Sequence, residues 1–265
     1  MSHRGILPFA AAGHDSYNGC IVNIELAMLS TAIFIVALLY SCVGHAGASG
    51  YIAVMSLLNL APAEIKPTAL MLNILVACIG TFQFARAGYF SWPAFWPFAI
   101  LAVPMAFLGG YLNLPAHYFK ILVGIVLLFS AARFLLRPSD DMAARPPTRP
   151  AAVLIGAGLG LLAGLTGTGG GIFLTPLLLF MRWASTKQAA ATSAVFILVN
   201  SISGLLGNLS STKHLPSFAI ALGLAAIAGG TAGSYLGSRR FDHTTIKRLL
   251  AVVLLIAGAK LVLNR

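Results

Sequence analysis

The sequence predicts an all-α polytopic membrane protein made of two inverted repeats, each with about five apolar segments. Hydrophobic residues make up 58% of the 265 residues and charged residues only 9%, with a mean hydropathy of +0.90. A soluble domain has about 25% charged residues, so this composition leaves no room for a sizeable soluble domain. Apolar runs of about 20 residues, the length that a helix needs to span a bilayer, recur along the chain.

The repeat is clearest at two Gly-rich motifs. The first runs from Val43 to Gly50 (VGHAGASG), and the second runs from Thr166 to Gly171 (TGTGGG), about 123 residues later. The register persists beyond the glycines, because Gly80 matches Gly204 at an offset of 124. A hydrophobic unit that occurs twice and is interrupted by glycines at the same place is typical of secondary transporters.

The repeat divides the chain into an N-terminal lead (1–25), a first transmembrane repeat (26–136), a cytoplasmic linker (137–150) and a second transmembrane repeat (151–265). The predicted apolar segments are about 26–42, 50–61, 67–85, 93–113, 118–136, 151–165, 170–182, 187–207, 216–236 and 246–263. Prolines stand at or near four helix starts, where a missing N–H costs nothing: Pro67, Pro93, Pro150 and Pro216.

The first two segments of each repeat are short. In the second repeat they span about 16 and 13 residues on either side of the glycines, and at 1.5 Å per residue neither comfortably crosses a core of about 30 Å. We therefore expect Gly-broken half-helices or re-entrant hairpins that meet near mid-membrane. Bare backbone is tolerated at that depth where it is buried in protein or lines a cavity.

Basic residues predict the orientation. Four of the 17 Lys and Arg cluster at the linker, Arg133, Arg137, Arg145 and Arg149, which places the linker in the cytoplasm. Counting membrane crossings outward from the linker places seven more basic residues on the cytoplasmic side: Arg86, Arg182, Lys187, Arg239, Arg240, Lys247 and Arg248. The other face keeps Arg4, Lys66, Lys120, Lys213, Lys260 and Arg265. Each repeat makes an odd number of crossings, so tandem repeats must be inverted.

The Gly-rich motifs predict an anion site. A helix start exposes unpaired N–H groups and a partial positive charge, and glycines let an oxyanion approach the backbone. We expect two such starts, near Gly47–Tyr51 and Gly170–Phe173, to face each other across a pseudo-two-fold axis. The predicted substrate-binding residues are Gly44, His45, Ala46, Gly47, Ser49, Asn73, Thr166, Gly167, Thr168, Gly169, Gly170, Gly171, Thr192, Ser193 and Asn200. The alternative is that the glycines permit close helix contact and the hydroxyls bond their own backbone.

Two further glycine series have the spacing of close helix packing, and we assign them to structure. They are Gly156, Gly160 and Gly164, and Gly229, Gly233 and Gly237. His45 is the histidine deep in an apolar stretch, and two interpretations of it stay open. It carries a proton coupled to anion movement, or it is a neutral side chain that bonds a carbonyl in the broken helix.

Several classes of protein are disfavoured. All six carboxylates fall at segment ends or in loops, which argues against cation antiporters and carboxylate-based pumps. Neither glycine run is followed by Lys-Ser or Lys-Thr, so there is no Walker motif. The three cysteines have no metal-ligand spacing, and no basic segment carries interleaved aromatics. We therefore expect no cofactor, no metal and no nucleic acid.

The segment Gly167-Thr-Gly-Gly-Gly-Ile-Phe-Leu-Thr-Pro176 and the following Ala191-Thr-Ser193 resemble the sulfite exporter TauE/SafE family, also called the 4-toluene sulfonate uptake permeases. The resemblance covers roughly residues 27–264. It implies a secondary transporter that moves a small sulfur-containing oxyanion or organosulfonate by alternating access, without ATP. The expected partners are the anion and the lipid bilayer of a bacterial inner membrane, and the sequence allows a homo-oligomer.

Two other classes compete with a transporter. One is a membrane-embedded enzyme that modifies a thiol or a lipid, with Cys42 and His45 as a pair three residues apart. The other is a non-transporting scaffold subunit, whose glycine motifs would tolerate bulky substitution. We expect a transporter and no enzymatic activity.

Overall fold

A computed structural model describes residues 16–58, 60–112, 147–212 and 218–242, together with residue 128 and short stretches between 244 and 259. Within these residues the regular structure is helical and contains no strand, which confirms the predicted all-α class. Most of the predicted segments 118–136 and 246–263, and most of the linker 137–150, lie outside the described residues.

The described helices follow the predicted segments. They are α1 (Ser16–Cys42), α2 (Ala48–Leu57), α3 (Pro62–Arg86), α4 (Trp92–Tyr111), α5 (Arg149–Thr166), α6 (Gly171–Phe180), α7 (Thr186–Thr212) and α8 (Phe218–Tyr235), which continues into a π-helical turn (Leu236–Arg240). Five of them, α3, α4, α5, α7 and α8, are long and apolar enough to cross a membrane.

Two helix starts differ from the predicted ones. Helix α1 begins at Ser16, inside the segment predicted as the N-terminal lead, because no proline interrupts the chain between Ser16 and Cys42. Helix α3 begins at Pro62 rather than near Pro67, which lies inside the helix. Pro62 takes the first helical position, where the missing N–H does no harm, so it is the proline that starts α3.

Helices α3 and α7 form the centre of the bundle and run antiparallel. Gly80 of α3 packs against Ala194 of α7, Asn73 bonds Ser201, and further along Leu70 approaches Gly204. Two buried clusters flank this pair. One joins α4, α6 and α7 around Phe98, Leu174 and Phe196, and the other joins α1, α2 and α3 around Ile33, Met55 and Leu72.

The remaining helices pack in corresponding pairs. Helix α5 lies parallel to α4, and α1 lies parallel to α8. In the two repeats α1 corresponds to α5, and α4 corresponds to α8. The α4–α5 pair therefore corresponds to the α8–α1 pair. The same correspondence relates the packing of α4 against α7 to the packing of α8 against α3.

Both glycine series lie in these parallel interfaces, which confirms their packing role. A Cβ atom on Gly156, Gly160 or Gly164 of α5 would overlap a carbonyl oxygen of α4, at Phe98, Ala102 and Ala106 respectively. Glycines of α8 and its π turn meet the carbonyls of α1 in the same way, with Gly229 at Phe34 and Gly233 at Leu38. Small residues therefore set the separation of both helix pairs.

We expect Gly160→Val to lower the midpoint of thermal unfolding in detergent, because its side chain would meet the carbonyl oxygen of Ala102. Overpacking of this kind costs about 1–3 kcal/mol. Gly158→Val is the matched control, since a Cβ at Gly158 meets nothing within 4 Å and the helix is the same. Equal midpoints for the two variants would contradict the packing role of this glycine series.

Helix directions place six described basic residues at one end of the bundle, here called the basic end. They are Arg86, Arg149, Arg182, Lys187, Arg239 and Arg240. Lys187 Nζ donates to the hydroxyl of Tyr89 at 3.3 Å and so ties the start of α7 to the α3–α4 loop. The charge count assigned these six residues to one side of the membrane, and Lys66, near the start of α3, stands at the opposite end.

Candidate functional site

Two interruptions of the helices carry the Gly-rich motifs. Break 1 comprises residues 43–47, between α1 and α2, and break 2 comprises residues 167–170, between α5 and α6. Gly44 and Gly47 have φ of +77° and +103°, and the corresponding Gly167 and Gly170 have φ of +73° and +82°. Glycine adopts such angles readily, whereas an L side chain is strained there. The two breaks thus have the same backbone geometry at positions about 123 residues apart, which is the repeat offset seen in the sequence.

The helices that follow the breaks are half-length. Helices α2 and α6 have 10 residues each, or about 15 Å against a bilayer core of about 30 Å. Helix α2 begins beside Asn73, near the middle of α3, and α6 begins beside Ser193 and Ile197 of α7. Half-helices are thus present at α2 and α6, whereas α1 and α5 are longer, with 27 and 18 residues.

Asn73 joins the two breaks. Its Oδ1 accepts the N–H of Ala48, the first residue of α2, at 3.0 Å. Its Nδ2 lies 3.2 Å from the carbonyl oxygen of Thr168 in break 2 and 3.3 Å from Ser201 Oγ of α7. The side chain is fully buried. One amide therefore caps the helix after break 1 and holds the backbone of break 2.

Each break packs on the third helix of the other repeat. A Cβ on Gly44 would overlap the backbone of Ala190 in α7, and a Cβ on Gly167 would lie 3.1 Å from Lys66 Cγ in α3. Lys66 and Ala190 are themselves 124 positions apart, the offset of the repeat. The two contacts therefore occupy corresponding positions in the repeats, but break 2 faces a lysine where break 1 faces an alanine.

His45 of break 1 begins a buried polar chain. Its Nε2 lies 2.8 Å from Thr175 Oγ1 of α6, which lies 2.6 Å from Ser193 Oγ of α7. If Thr175 donates to Ser193, Nε2 carries its hydrogen and donates to Thr175, so Nδ1 is an acceptor. Nδ1 is buried and has no hydrogen-bond partner among the described residues.

Some predicted polar groups bond nearby groups. Thr166 Oγ1 donates to its own helix at Leu162 O, at 2.7 Å, and lies 2.8 Å from Thr168 Oγ1. Ser49 Oγ donates to the hydroxyl of Tyr40 at 3.1 Å. The carbonyl oxygen of Ala46 accepts the Tyr51 hydroxyl at 2.6 Å. Thr166 thus bonds its own backbone, as the alternative interpretation expects.

The other predicted residues divide into two groups. Gly169 lies against Asn73 and Ser201, while Gly170 and Gly171 lie against Phe196 and Ile197. Thr192 and Asn200 are buried in α7, but the described contacts do not link them to either break. Both amide atoms of Asn200 lack a hydrogen-bond partner among the described residues.

Sequence reasoning missed three residues at this site. Thr175 lay within the quoted glycine motif, one turn into a buried helix, and that position was an available signal. Ser201 gave no signal of its own. Lys66 was counted as a surface charge, although its match to Ala190 at the repeat offset places it against a break.

Comparison with known proteins agrees with this architecture. The family model described as sulfite exporter TauE/SafE matches residues 29–261. The probable membrane transporter protein y4hK of Sinorhizobium fredii is 43% identical over 245 residues, which cover 91% of this chain and 99% of that protein. The probable membrane transporter protein YjnA of Bacillus subtilis is 25% identical over 257 residues, covering 90% of this chain and 100% of that protein. No solved structure matches. The chain is a multi-pass membrane protein that belongs to the sulfite exporter TauE/SafE family.

Proposed function

We propose that this membrane transporter moves a small sulfur-containing oxyanion or organosulfonate by alternating access, and that the anion is held between the two breaks. The observation that carries the proposal is the pair of breaks with matching positive φ angles, joined by the side chain of Asn73. The description of the matched family model, sulfite exporter, supports the substrate class.

The chemistry of break 2 suits an anion. Helix α6 has no side-chain cap at Gly170, and only Phe173 and Leu174 of its first turn donate back to the Gly170 carbonyl. The N–H groups of Gly171 and Ile172 donate to no backbone carbonyl among the described residues. Unpaired N–H groups at a helix start bind oxyanions directly, and the helix dipole favours the negative charge.

The helix directions support the inverted repeats. Helices α3 and α7 correspond at the repeat offset and run antiparallel, so the axis that exchanges them lies across the helices rather than along them. For membrane-spanning helices such an axis lies in the membrane plane, as in transporters with inverted repeats. Exchange of conformation between the repeats would then turn the site from one side of the membrane to the other.

The enzyme alternative receives no support from Cys42 and His45. Cys42 Sγ donates to Leu38 O of its own helix at 3.2 Å, while the His45 ring bonds Thr175. The two side chains therefore do not form a nucleophile–base pair in this structure, and no observation favours thiol or lipid chemistry at break 1.

Uptake into proteoliposomes tests the proposed function. We expect saturable uptake of sulfite, thiosulfate, sulfate or a small sulfonate by the purified protein, measured with and without a pH gradient. Protein-free liposomes give the background. Uptake at that background for all four anions would refute the proposed substrate class.

We propose further that His45 couples anion movement to proton movement. We expect His45→Gln to abolish this coupling and to leave anion exchange intact. Glutamine does not titrate, but its amide can still donate to Thr175. Anion exchange should therefore continue while the dependence of net uptake on a pH gradient disappears. Thr175→Ser, which keeps the hydroxyl partner, is the control and should keep that dependence. An unchanged dependence in His45→Gln would assign the ring to structure.

A further inference from the structure

The two breaks differ in exposure. All five residues of break 1 are buried, including His45 at 2% and Val43 at 0%. In break 2 Thr168 is half-buried, and so is the adjacent Thr166. The half-buried residues lie toward the Lys66 end of the bundle, since a Cβ on Gly167 between them would lie 3.1 Å from Lys66 Cγ.

Break 1 also packs more closely on its neighbouring helix than break 2 does. A Cβ on Gly44 would lie 2.6 Å from the Cα of Ala190, whereas a Cβ on Gly167 would lie 3.7 Å from the Cα of Lys66. Break 1 therefore sits directly on α7, and break 2 stands farther from α3 with the lysine stem between them.

Lys66 brings a positive charge to the end of the bundle that lies nearer break 2. Its Nζ donates to the carbonyl oxygens of Gly109 and Gly110, in the last turn of α4, at 3.3 and 3.1 Å. An ammonium group has three N–H donors, so one stays without a partner among the described residues. Lys66 also makes no ion pair within the described residues.

The position of the charge suits an entering anion. A Cβ on Gly167 of break 2 would lie 3.1 Å from Lys66 Cγ, and only two methylene groups separate Cγ from the ammonium. The six described basic residues of the basic end stand at the other end of the bundle. The ammonium is held at the C-terminus of α4, where a cation is favoured, at the end of the bundle where break 2 has its half-buried residue Thr168.

We propose that Lys66 binds the transported oxyanion as it enters or leaves break 2 at the end of the bundle opposite the basic end. This inference rests on the proposed function and adds a charged residue to its site. The anion takes the ammonium N–H that has no partner among the described residues, while the two α4 carbonyls keep the side chain in place. Ala190, at the corresponding position of the other repeat, supplies no such charge, so the two breaks differ in this respect.

Two substitutions separate charge from packing. Lys66→Met keeps an apolar stem against Gly167 and removes the charge, while Lys66→Arg keeps the charge. We expect the KM for sulfite in proteoliposomes to rise about tenfold or more in Lys66→Met, and to stay within about threefold of wild type in Lys66→Arg. Lys187→Gln removes a hydrogen-bonded lysine at the basic end, and its KM should stay unchanged.

A second measurement covers the case in which Lys66→Met does not fold. Thr168→Cys, in a protein whose three native cysteines are replaced, should react with an impermeant maleimide applied from the Lys66 end, and sulfate should slow that reaction. Reaction only from the basic end, or no protection by sulfate, would overturn the proposal. The proposal for Lys66 would also be overturned if wild type transports sulfite and folded Lys66→Met has the same KM as wild type. The proposed function would stand in that case. Wild-type protein that moves no anion overturns the proposed function and this inference together.

Discussion

We expect Gly170→Val to reduce anion uptake by about 100-fold or more while the protein stays folded in detergent. Gly170 has φ of +82°, and a Cβ there would lie 2.9 Å from the ring of Phe196. A branched side chain at this position displaces the break from the geometry that presents the N–H groups of α6. Loss of two hydrogen bonds to a charged ligand accounts for an effect of that size. Uptake of sulfite into proteoliposomes is the measurement, and Gly47→Val should act in the same direction.

Gly88→Val is the matched control for this prediction. Gly88 has φ of +80°, so valine imposes the same backbone strain, but a Cβ there meets nothing within 4 Å. It lies in the loop between α3 and α4, away from both breaks. We expect it to lower the unfolding midpoint through backbone strain alone, and so by less than Gly170→Val, and to leave uptake near wild type. Similar uptake in the two variants would return the glycine motifs to a packing role.

The second large effect is expected for Asn73→Asp. The substitution keeps the shape of the side chain and the oxygen that caps α2 at Ala48. It replaces the donor that faces Thr168 O and Ser201 Oγ with a second acceptor, in a fully buried position. The added negative charge repels an anion at the breaks, so we expect uptake to fall to the background of protein-free liposomes.

Asn208→Asp is the control for the charge itself. Asn208 is a buried asparagine of α7, and its side chain has no described contact with either break. Circular dichroism and the unfolding midpoint report on folding in both variants. Retained uptake in Asn73→Asp would exclude Asn73 from the anion site, whereas equal loss in both variants would show that any buried carboxylate abolishes transport.

Local sequence features predicted most of the fold. Glycines at corresponding positions located both breaks, because an interrupted apolar run is visible without knowledge of the partner helices. The spacing of Gly156, Gly160 and Gly164 predicted a close helix contact, which the carbonyls of α4 supply. The start of α1 at Ser16 was not predicted, because a polar first turn does not prevent a helix when no proline follows it.

The connections within the site depend on contacts that no local pattern encodes. Asn73 was selected as a hydrogen-bonding residue, but its partners are distant in sequence. Ala48 lies 25 residues before it and Thr168 lies 95 residues after it. Lys66 was counted with the charges of the outer face, since a charge count does not reveal that the end of α4 lies beside it. Long-range packing decides such roles, so only the structure places them.

The most direct test of the central claim is the position of a bound anion. Selenite is the heavier congener of sulfite, and anomalous scattering from crystals grown with selenite locates its selenium atom. We expect a selenium peak between the two breaks, within hydrogen-bond reach of the start of α6 and of Asn73, and its loss in crystals of Gly170→Val. A peak confined to the bundle surface, or no peak at a selenite concentration that blocks sulfite uptake, would show that the anion does not bind between the breaks.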